Sequence, residues 1–370
     1  MDLGGLLGRT RQPRRRRFAA WQIEITTRCP LACRMCIRQA PDPWRHRDMR
    51  LEEFETLARG FEDVETVILQ GWGEPLLHPH LRDVIRRAKA LGPGAPKVGF
   101  VTSGSGLDRR TATELAAAGL DFIGFSLAGV SAATHAAIRV RSALDEVVAA
   151  AGHVAAVRRQ RGGVLPRVHV VFLMVKDNVE ELPGLPALAL RMGADEIVVT
   201  NLVHAVDAWQ EAQQVFGRDP ERGYERVLHE TERAARELGI PLRRASLQIA
   251  PAAVCEEDPL RNLYVTVDGD VSPCVYLCPP VTTGLRRRFS GREHRLPPLS
   301  FGNAFRDPIA GIREGAAYRA FCERFVRRAQ RHQLLSLLPA GWRGGPGRSR
   351  LGELPDPPDP CRTCHKLLGV

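Results

Sequence analysis

The chain has 370 residues, 44% of them hydrophobic and 26% charged, an ordinary globular balance with room for one barrel-sized domain and a smaller companion. No apolar run reaches the ~18 residues a transmembrane helix needs, and MDLGGLLGRTRQPRRRR places its charge after a weakly apolar stretch, unlike a secretory signal. The net charge of +11 gathers in Arg14 to Arg17, Arg286 to Arg288 and the Arg-rich tail before Arg350. Without a recognition helix or interleaved aromatics, this reads as a solvated surface and not a nucleic-acid interface, with docking of an acidic peptide as the functional alternative.

Residues 1–20 read as a flexible basic arm. From 21 to about 201, strand-like runs alternate with amphipathic helical ones. Strands are predicted at Gln22–Thr26, Thr66–Gln70, Val98–Thr102, Phe122–Ser126, Val168–Met174 and Glu196–Thr200. Helices are predicted around Leu51–Arg59, Leu81–Leu91, Arg110–Ala118, Ala143–Arg159 and Glu180–Arg191. Parallel βαβ units with right-handed crossovers follow, an α/β fold whose six units fit a partial (β/α)6 barrel open on one side. A helical connector from Asp207 to Leu238 completes a core over 21–240. Residues 241–370 read as a small cysteine-rich α+β module in which long helices thin out. LYVTVDGDVSPC reads as a hairpin turning at Asp268-Gly269, and residues 285–300 and 339–360 as loops.

Cys29, Cys33 and Cys36 form a C-x3-C-x2-C run directly after the first strand. Three thiolates at this spacing can hold three irons of a cubane and leave the fourth open to a ligand. A structural zinc site prefers C-x2-C pairs and a closed shell of four ligands. At the end of the second strand, Gly71-Trp72-Gly73-Glu74-Pro75 combines a carboxylate with two glycines that let backbone pass close to a ligand. Thr102-Ser103-Gly104 ends the third strand and Ser126 the fourth, and Arg139 follows in THAAIRVRS. Chemistry in parallel barrels gathers at these strand ends.

Together these residues resemble the radical S-adenosylmethionine (SAM) superfamily. The cysteine run matches its cluster loop, with Pro30 where Asn is common and Met35 in a usually aromatic place, where it would pack on the adenine. GWGEP is similar to the family's GGEP element, which binds the SAM amino group, with Gly71, Gly73 and Glu74 matched and Trp72 replacing a glycine. The resemblance implies that Thr102, Ser103 and Ser126 offer hydroxyls to SAM and that Arg139 forks onto its carboxylate, against turn chemistry and an exposed arginine as the plainer readings. Asn178 is read as a helix cap, and His169, Asn201, His204 and Asp207 as candidates for substrate acid–base work.

Cys255 and Cys274 bracket the predicted hairpin, and Cys361 and Cys364 form a terminal C-x2-C. Four such thiolates can close one complete cluster or hold zinc. The set resembles the SPASM or shorter twitch module of radical SAM enzymes, which carries auxiliary 4Fe–4S clusters. Val370 stands where a full SPASM module would place a further cysteine, so one auxiliary cluster is expected, with Cys278 and Cys322 left over for a second. Cys322 reads as a small buried apolar residue.

The resemblance implies reductive cleavage of SAM at a 4Fe–4S cluster on Cys29, Cys33 and Cys36, giving a 5′-deoxyadenosyl radical that takes a hydrogen atom from substrate. The expected substrate is a peptide or protein, as in metalloenzyme maturases. The alternatives are a small-molecule alcohol dehydrogenase and a non-catalytic iron–sulfur or zinc protein. Residues 1–20 are too short for a leader-peptide-binding winged helix. The expected partner is a reductant such as a flavodoxin or ferredoxin, with no nucleic acid and no membrane, and the expected location is cytoplasmic.

Overall fold

The protein is described here by a computed structural model, which covers residues 18–218, 220–281, 283–337 and 353–370. Six strands, β1 (Phe18–Ile23), β2 (Val64–Ile68), β3 (Lys97–Thr102), β4 (Phe122–Leu127), β5 (Arg167–Met174) and β6 (Glu196–Asn201), pair in parallel, each with the next. Helices Leu51–Ala58, Leu81–Ala88, Arg109–Ala118, Leu144–Gln160 and Leu185–Arg191 fill the crossovers. Ile23, Val67, Phe100, Phe125, Phe172 and Ile197 carry the core through successive strands and are fully buried. These runs are apolar because a sheet packed on both faces buries most of its central side chains, while Glu65, Lys97 and Arg167 stay exposed near the strand starts.

Local signals set the helix ends. Arg109–Ala118 starts where the Asp108 carboxylate accepts from the Thr111 N–H at 2.7 Å, and Gly119 closes it. The predicted helix over Glu180–Arg191 is broken instead into a 3-10 turn, Val179–Gly184, and a short α-helix, because Pro183 and Pro186 cannot donate to the helical ladder.

The sheet is wider than six strands. β7 (Leu242–Arg244) adds in parallel to β6, and β8 (Asn262–Val265) adds in parallel to β1. β9 (Val271–Ser272) returns antiparallel on β8 through the expected turn, where Gly269 takes φ 87°. The cysteine-rich segment is therefore fastened to the edge of the barrel at β1, and the Glu24 N–H extends the join to the Val265 carbonyl at 2.9 Å.

Three expectations need correction. β1 begins at Phe18, within the predicted arm, because Phe18 is buried edge-on against Trp21 at 5.3 Å. Residues 1–17 lie outside the described residues. The predicted loop 285–300 contains a hairpin, β10 (Leu285–Phe289) with β11 (Arg292–Leu296), around Ser290-Gly291, both at positive φ as a tight turn requires. The C-terminal segment also holds the 21-residue helix Ala316–Ser336, with Phe321, Phe325 and Arg328 buried along one face. Of 339–360, residues 353–358 have no regular structure and those up to 352 lie outside the described residues.

Candidate functional site

The loop after β1 is held in place by backbone and side-chain bonds. Ala32 and Arg34 donate their N–H groups to the carbonyls of Val140 and Ile138 at 3.1 and 2.9 Å. Beneath the loop, Leu31, Cys33 and Met35 are buried with Ala128, Ile138, Val175 and Leu202. Met35 is thus already committed to protein neighbours. Gln210, fully buried, donates Nε2–H to the carbonyls of Arg34 at 2.8 Å and Cys36 at 3.1 Å.

The GWGEP loop lies against this cysteine loop. The Glu74 N–H donates to the Arg28 carbonyl at 2.7 Å, one residue before Cys29. A Cβ on Gly73 would overlap the Thr26 carbonyl, and one on Gly71 would overlap the Glu24 side chain. Both glycines therefore permit the GWGEP loop to approach the chain after β1 closely. Glu24 is fully buried and accepts from the Trp72 N–H at 2.8 Å. Burial, opposed by that bond, pushes its carboxyl up to about 7. Tyr264 interacts electrostatically with it, yet Glu24 Oε2 and Tyr264 Oη lack any hydrogen bond of normal geometry.

Glu74 is buried with its acceptors engaged. Oε1 takes the Thr102 hydroxyl at 2.6 Å and the Leu76 N–H at 3.2 Å, and Oε2 takes the Ser103 N–H and hydroxyl, both at 2.7 Å. Thr102 and Ser103 thus hold Glu74 in place. Ser126, half-buried near the end of β4, bonds to none of these groups. Arg139 ends the helix Ala132–Ile138, its charge bears on Cys33, and its Nε–H is buried without an acceptor.

Burial is the largest influence on the three thiols. It raises Cys29 and Cys33 and pushes Cys36 up to about 11. Arg38 and Arg139 pull the other way. Any metal here must displace protons, so loading and deprotonation are coupled.

A second set of thiols converges below the β8–β9 hairpin. The Ala250 and Ala252 N–H groups donate to the carbonyls of Leu368 and Leu367 at 2.8 and 2.9 Å, lacing the C-terminus beside Cys255. Buried Arg328 donates to the carbonyls of Ala252, Ala253 and Pro355, tying the long helix to both segments. Cys255, Cys274 and Cys361 pack around Leu277, Phe321, Phe325 and Leu367. Burial raises Cys274 well above the usual thiol range, and the charges of Glu257, Cys361, Cys255 and Cys364 add to the rise. Cys255 is pushed to about 12 by burial first and Cys364 second. Among the described residues no three His, Cys, Asp or Glu side chains are arranged to hold a single metal ion. The four thiols are close enough to bear on one another electrostatically.

The remaining candidates are scattered. Cys278 is buried with Tyr264 and Val275, and Cys322 packs against the barrel core, so the two do not meet. Asn178 does not cap the following turn. It bonds back to the Ala128 and Leu173 carbonyls and the Val175 N–H. His169 sits near the start of β5, stacked on Phe122, away from the strand ends where the cysteines gather. Asp207 caps the helix Ala208–Ala212. Asn201 donates to the Ser246 carbonyl. His204 is buried, its ring stacked on Tyr276 at 5.6 Å, and burial lowers it to about 3, so it stays neutral. Sequence reasoning missed Glu24, Gln210 and Arg38. A lone acid inside the apolar run WQIEIT was the one available signal, for Glu24.

Residues 23–184 match the Radical SAM superfamily, and residues 255–336 match SPASM, an iron-sulfur cluster-binding domain. The chain therefore carries a radical SAM domain followed by a SPASM domain, the combination of a radical SAM enzyme with a SPASM module. Among curated proteins it is 26% identical over 309 residues to a "Tungsten-containing aldehyde ferredoxin oxidoreductase cofactor-modifying protein" of Pyrococcus furiosus, covering 82% of each chain. It is 30% identical over 187 residues to a "PqqA peptide cyclase" of Streptomyces rochei, where it spans 50% of this chain and 48% of the relative. Among solved structures, Streptococcus suis SuiB bound to S-adenosylmethionine superposes with TM-score 0.58 at 13% identity, covering 96% of this chain and 72% of that one. The structure of anSMEcpe with AdoMet and the Cp18Cys peptide gives TM-score 0.56 at 13% identity, covering 93% and 90%. No helix among the described residues is long and apolar enough to cross a membrane.

Proposed function

We propose that this protein is a maturase that modifies a peptide or protein substrate by radical chemistry. In this reading Cys29, Cys33 and Cys36 hold one 4Fe–4S cluster with an open iron for SAM. Cys255, Cys274, Cys361 and Cys364 hold one auxiliary cluster. Bound there, SAM and the first cluster supply a 5′-deoxyadenosyl radical that abstracts a hydrogen atom from substrate.

The chain's own residues bind, orient and exclude water. Glu74, fixed by Thr102 and Ser103, places its negative charge near Cys29, where it attracts the SAM amino group while its acceptor positions stay bonded to the chain. The unsatisfied Arg139 Nε–H beside Cys33 offers a donor to the SAM carboxylate. Ser126 supplies a hydroxyl on the same side. Residues 241–370 form the auxiliary module, with a flavodoxin or ferredoxin as electron donor and a reducing cytoplasm as the setting for nine free cysteines. The P. furiosus cofactor-modifying protein and the peptide cyclase support a macromolecular or peptide substrate.

The observation that carries the reading is the contact between two loops, a three-thiol loop and a buried glutamate one backbone bond away. Anaerobic reconstitution tests it. About eight irons per chain are expected, with 5′-deoxyadenosine released on adding SAM and dithionite. Cys33→Ala should abolish release and leave about four irons. Zinc in place of iron, or iron without SAM cleavage, would overturn the reading.

A further inference from the structure

We propose that Arg287 is the counter-ion and hydrogen-bond donor of the auxiliary cluster, placed to raise its reduction potential. The proposal rests on reading Cys255, Cys274, Cys361 and Cys364 as that cluster's ligands. Arg287 lies in the middle of β10 and is one of the largest fully buried side chains of the protein. Its neighbours on the strand both have acidic partners, Arg286 with Glu293 at 3.3 Å and Arg288 with Glu211 at 2.8 Å. Arg287 has none among the described residues.

One hydrogen bond anchors it. Nη1–H donates to the Pro360 carbonyl at 3.0 Å, immediately before Cys361. Nε–H and an Nη2 donor are sealed from solvent without any acceptor. Its charge bears on Cys361, one of the four thiols, and also on His204 and His365. A buried guanidinium without a counter-charge is strongly unfavourable, and an arginine cannot escape by losing its proton.

An anionic cluster resolves this. Four thiolates around a doubly positive cubane carry a net double negative charge, and buried Arg287 and Arg328 carry two positive charges beside it. Each nitrogen of Arg328 already donates to a carbonyl, whereas Nε and Nη2 of Arg287 have no acceptor and are available to sulfur. Taking up one electron adds a further negative charge to the cluster. A fixed cation and N–H donors favour that reduced form.

The test uses the full chain with Cys29, Cys33 and Cys36 replaced by Ala, so that only the auxiliary cluster loads. A titration with a chemical reductant, followed by electron paramagnetic resonance, gives its potential. Arg287→Met should lower the ratio of reduced to oxidised cluster at least tenfold at a fixed applied potential, about 59 mV for one electron. Arg287→Lys should recover most of the shift. Thermal unfolding gives a second readout. After the iron is chelated, Arg287→Met should melt above its parent, because an uncompensated charge is gone, and it should lose that advantage when the cluster is loaded. An unchanged potential at full iron content, or equal destabilisation of the apo and loaded forms, would overturn the proposal and leave Arg287 as a strut to Pro360. If Arg287→Met takes up no iron, the apo melting comparison still decides. Separately, the double change Cys361→Ala and Cys364→Ala with undiminished iron would sink the ligand set, whatever Arg287 does.

Discussion

Ser103 donates both its amide and its hydroxyl to one oxygen of Glu74, each at 2.7 Å. This pairing fixes the glutamate on the end of β3 and turns a short strand-end turn into a support for the GWGEP loop. Glu74→Gln would set an amide against donors from Thr102, Ser103 and Leu76, so at least one bond must be lost. The expected cost is about 1–3 kcal/mol of stability and a weakening of SAM binding by about tenfold or more. Ser103→Ala keeps the backbone bond and should cost about 1 kcal/mol. Equilibrium binding of SAM to the anaerobically reconstituted protein checks both. Wild-type affinity in Glu74→Gln would remove Glu74 from the SAM site.

Two glycines should respond in opposite directions. Gly73→Ala drives a methyl group into the Thr26 carbonyl and must displace the GWGEP loop from the cysteine loop. A loss of about 1–3 kcal/mol and of SAM binding is expected. Gly152 lies inside the helix Leu144–Gln160 with open space around its Cβ position. Gly152→Ala should raise stability by about 0.5–1 kcal/mol without touching SAM cleavage. Thermal melts of the two variants side by side give the comparison.

Glu24 makes stability depend on pH. Its carboxyl is raised from 4.5 to about 7, mainly by burial. Between those values the folded chain keeps the proton and the unfolded chain does not, so this contribution falls as pH rises, by roughly 3 kcal/mol across the window. His204 and His135, lowered by burial to about 3 and about 4, act in the opposite sense, their contribution rising with pH up to about 6.5. The net slope therefore mixes both, and the difference between Glu24→Gln and wild type isolates the glutamate. Relative to wild type, Glu24→Gln should gain stability steadily from pH 4.5 to 7 in denaturant titrations. A difference independent of pH would show that Glu24 is ionised throughout.

The six barrel strands were legible because each is an apolar run bounded by turn residues, and the cysteine and GWGEP loops because the strands ended beside them. β10 and β11 were not, since arginines fill LRRRF and REHRL and hide the alternation that buries Leu285 and Arg287. The close contacts at Gly71 and Gly73 were not legible either. Tertiary packing decides what meets a glycine, and a Cβ at these two would meet Glu24 and Thr26. Convergence of Cys361 and Cys364 on Cys255 depends on backbone bonds from residues 250 and 252 to the C-terminus, a long-range pairing no local pattern encodes.

Gln210 gives a way to loosen the first cluster site alone. It is far from Cys36 in sequence, yet its amide bridges the Arg34 and Cys36 carbonyls while its Oε1 accepts from the Val206 N–H at 2.9 Å. Gln210→Leu keeps much of the volume and removes all three bonds, leaving two carbonyls and one N–H without their buried partner at about 1–3 kcal/mol for the set. The cost falls on the loop that carries the three thiols, and among the described residues no bond links Gln210 to Cys255, Cys274, Cys361 or Cys364. The variant should therefore bind iron less completely at the first site, with slower release of 5′-deoxyadenosine, while its auxiliary cluster loads fully. Iron counted in Gln210→Leu with and without Cys361→Ala separates the two sites. Equal loss at both would mean that Gln210 supports the fold as a whole, and full loading at both would mean that the cysteine loop holds its shape without it.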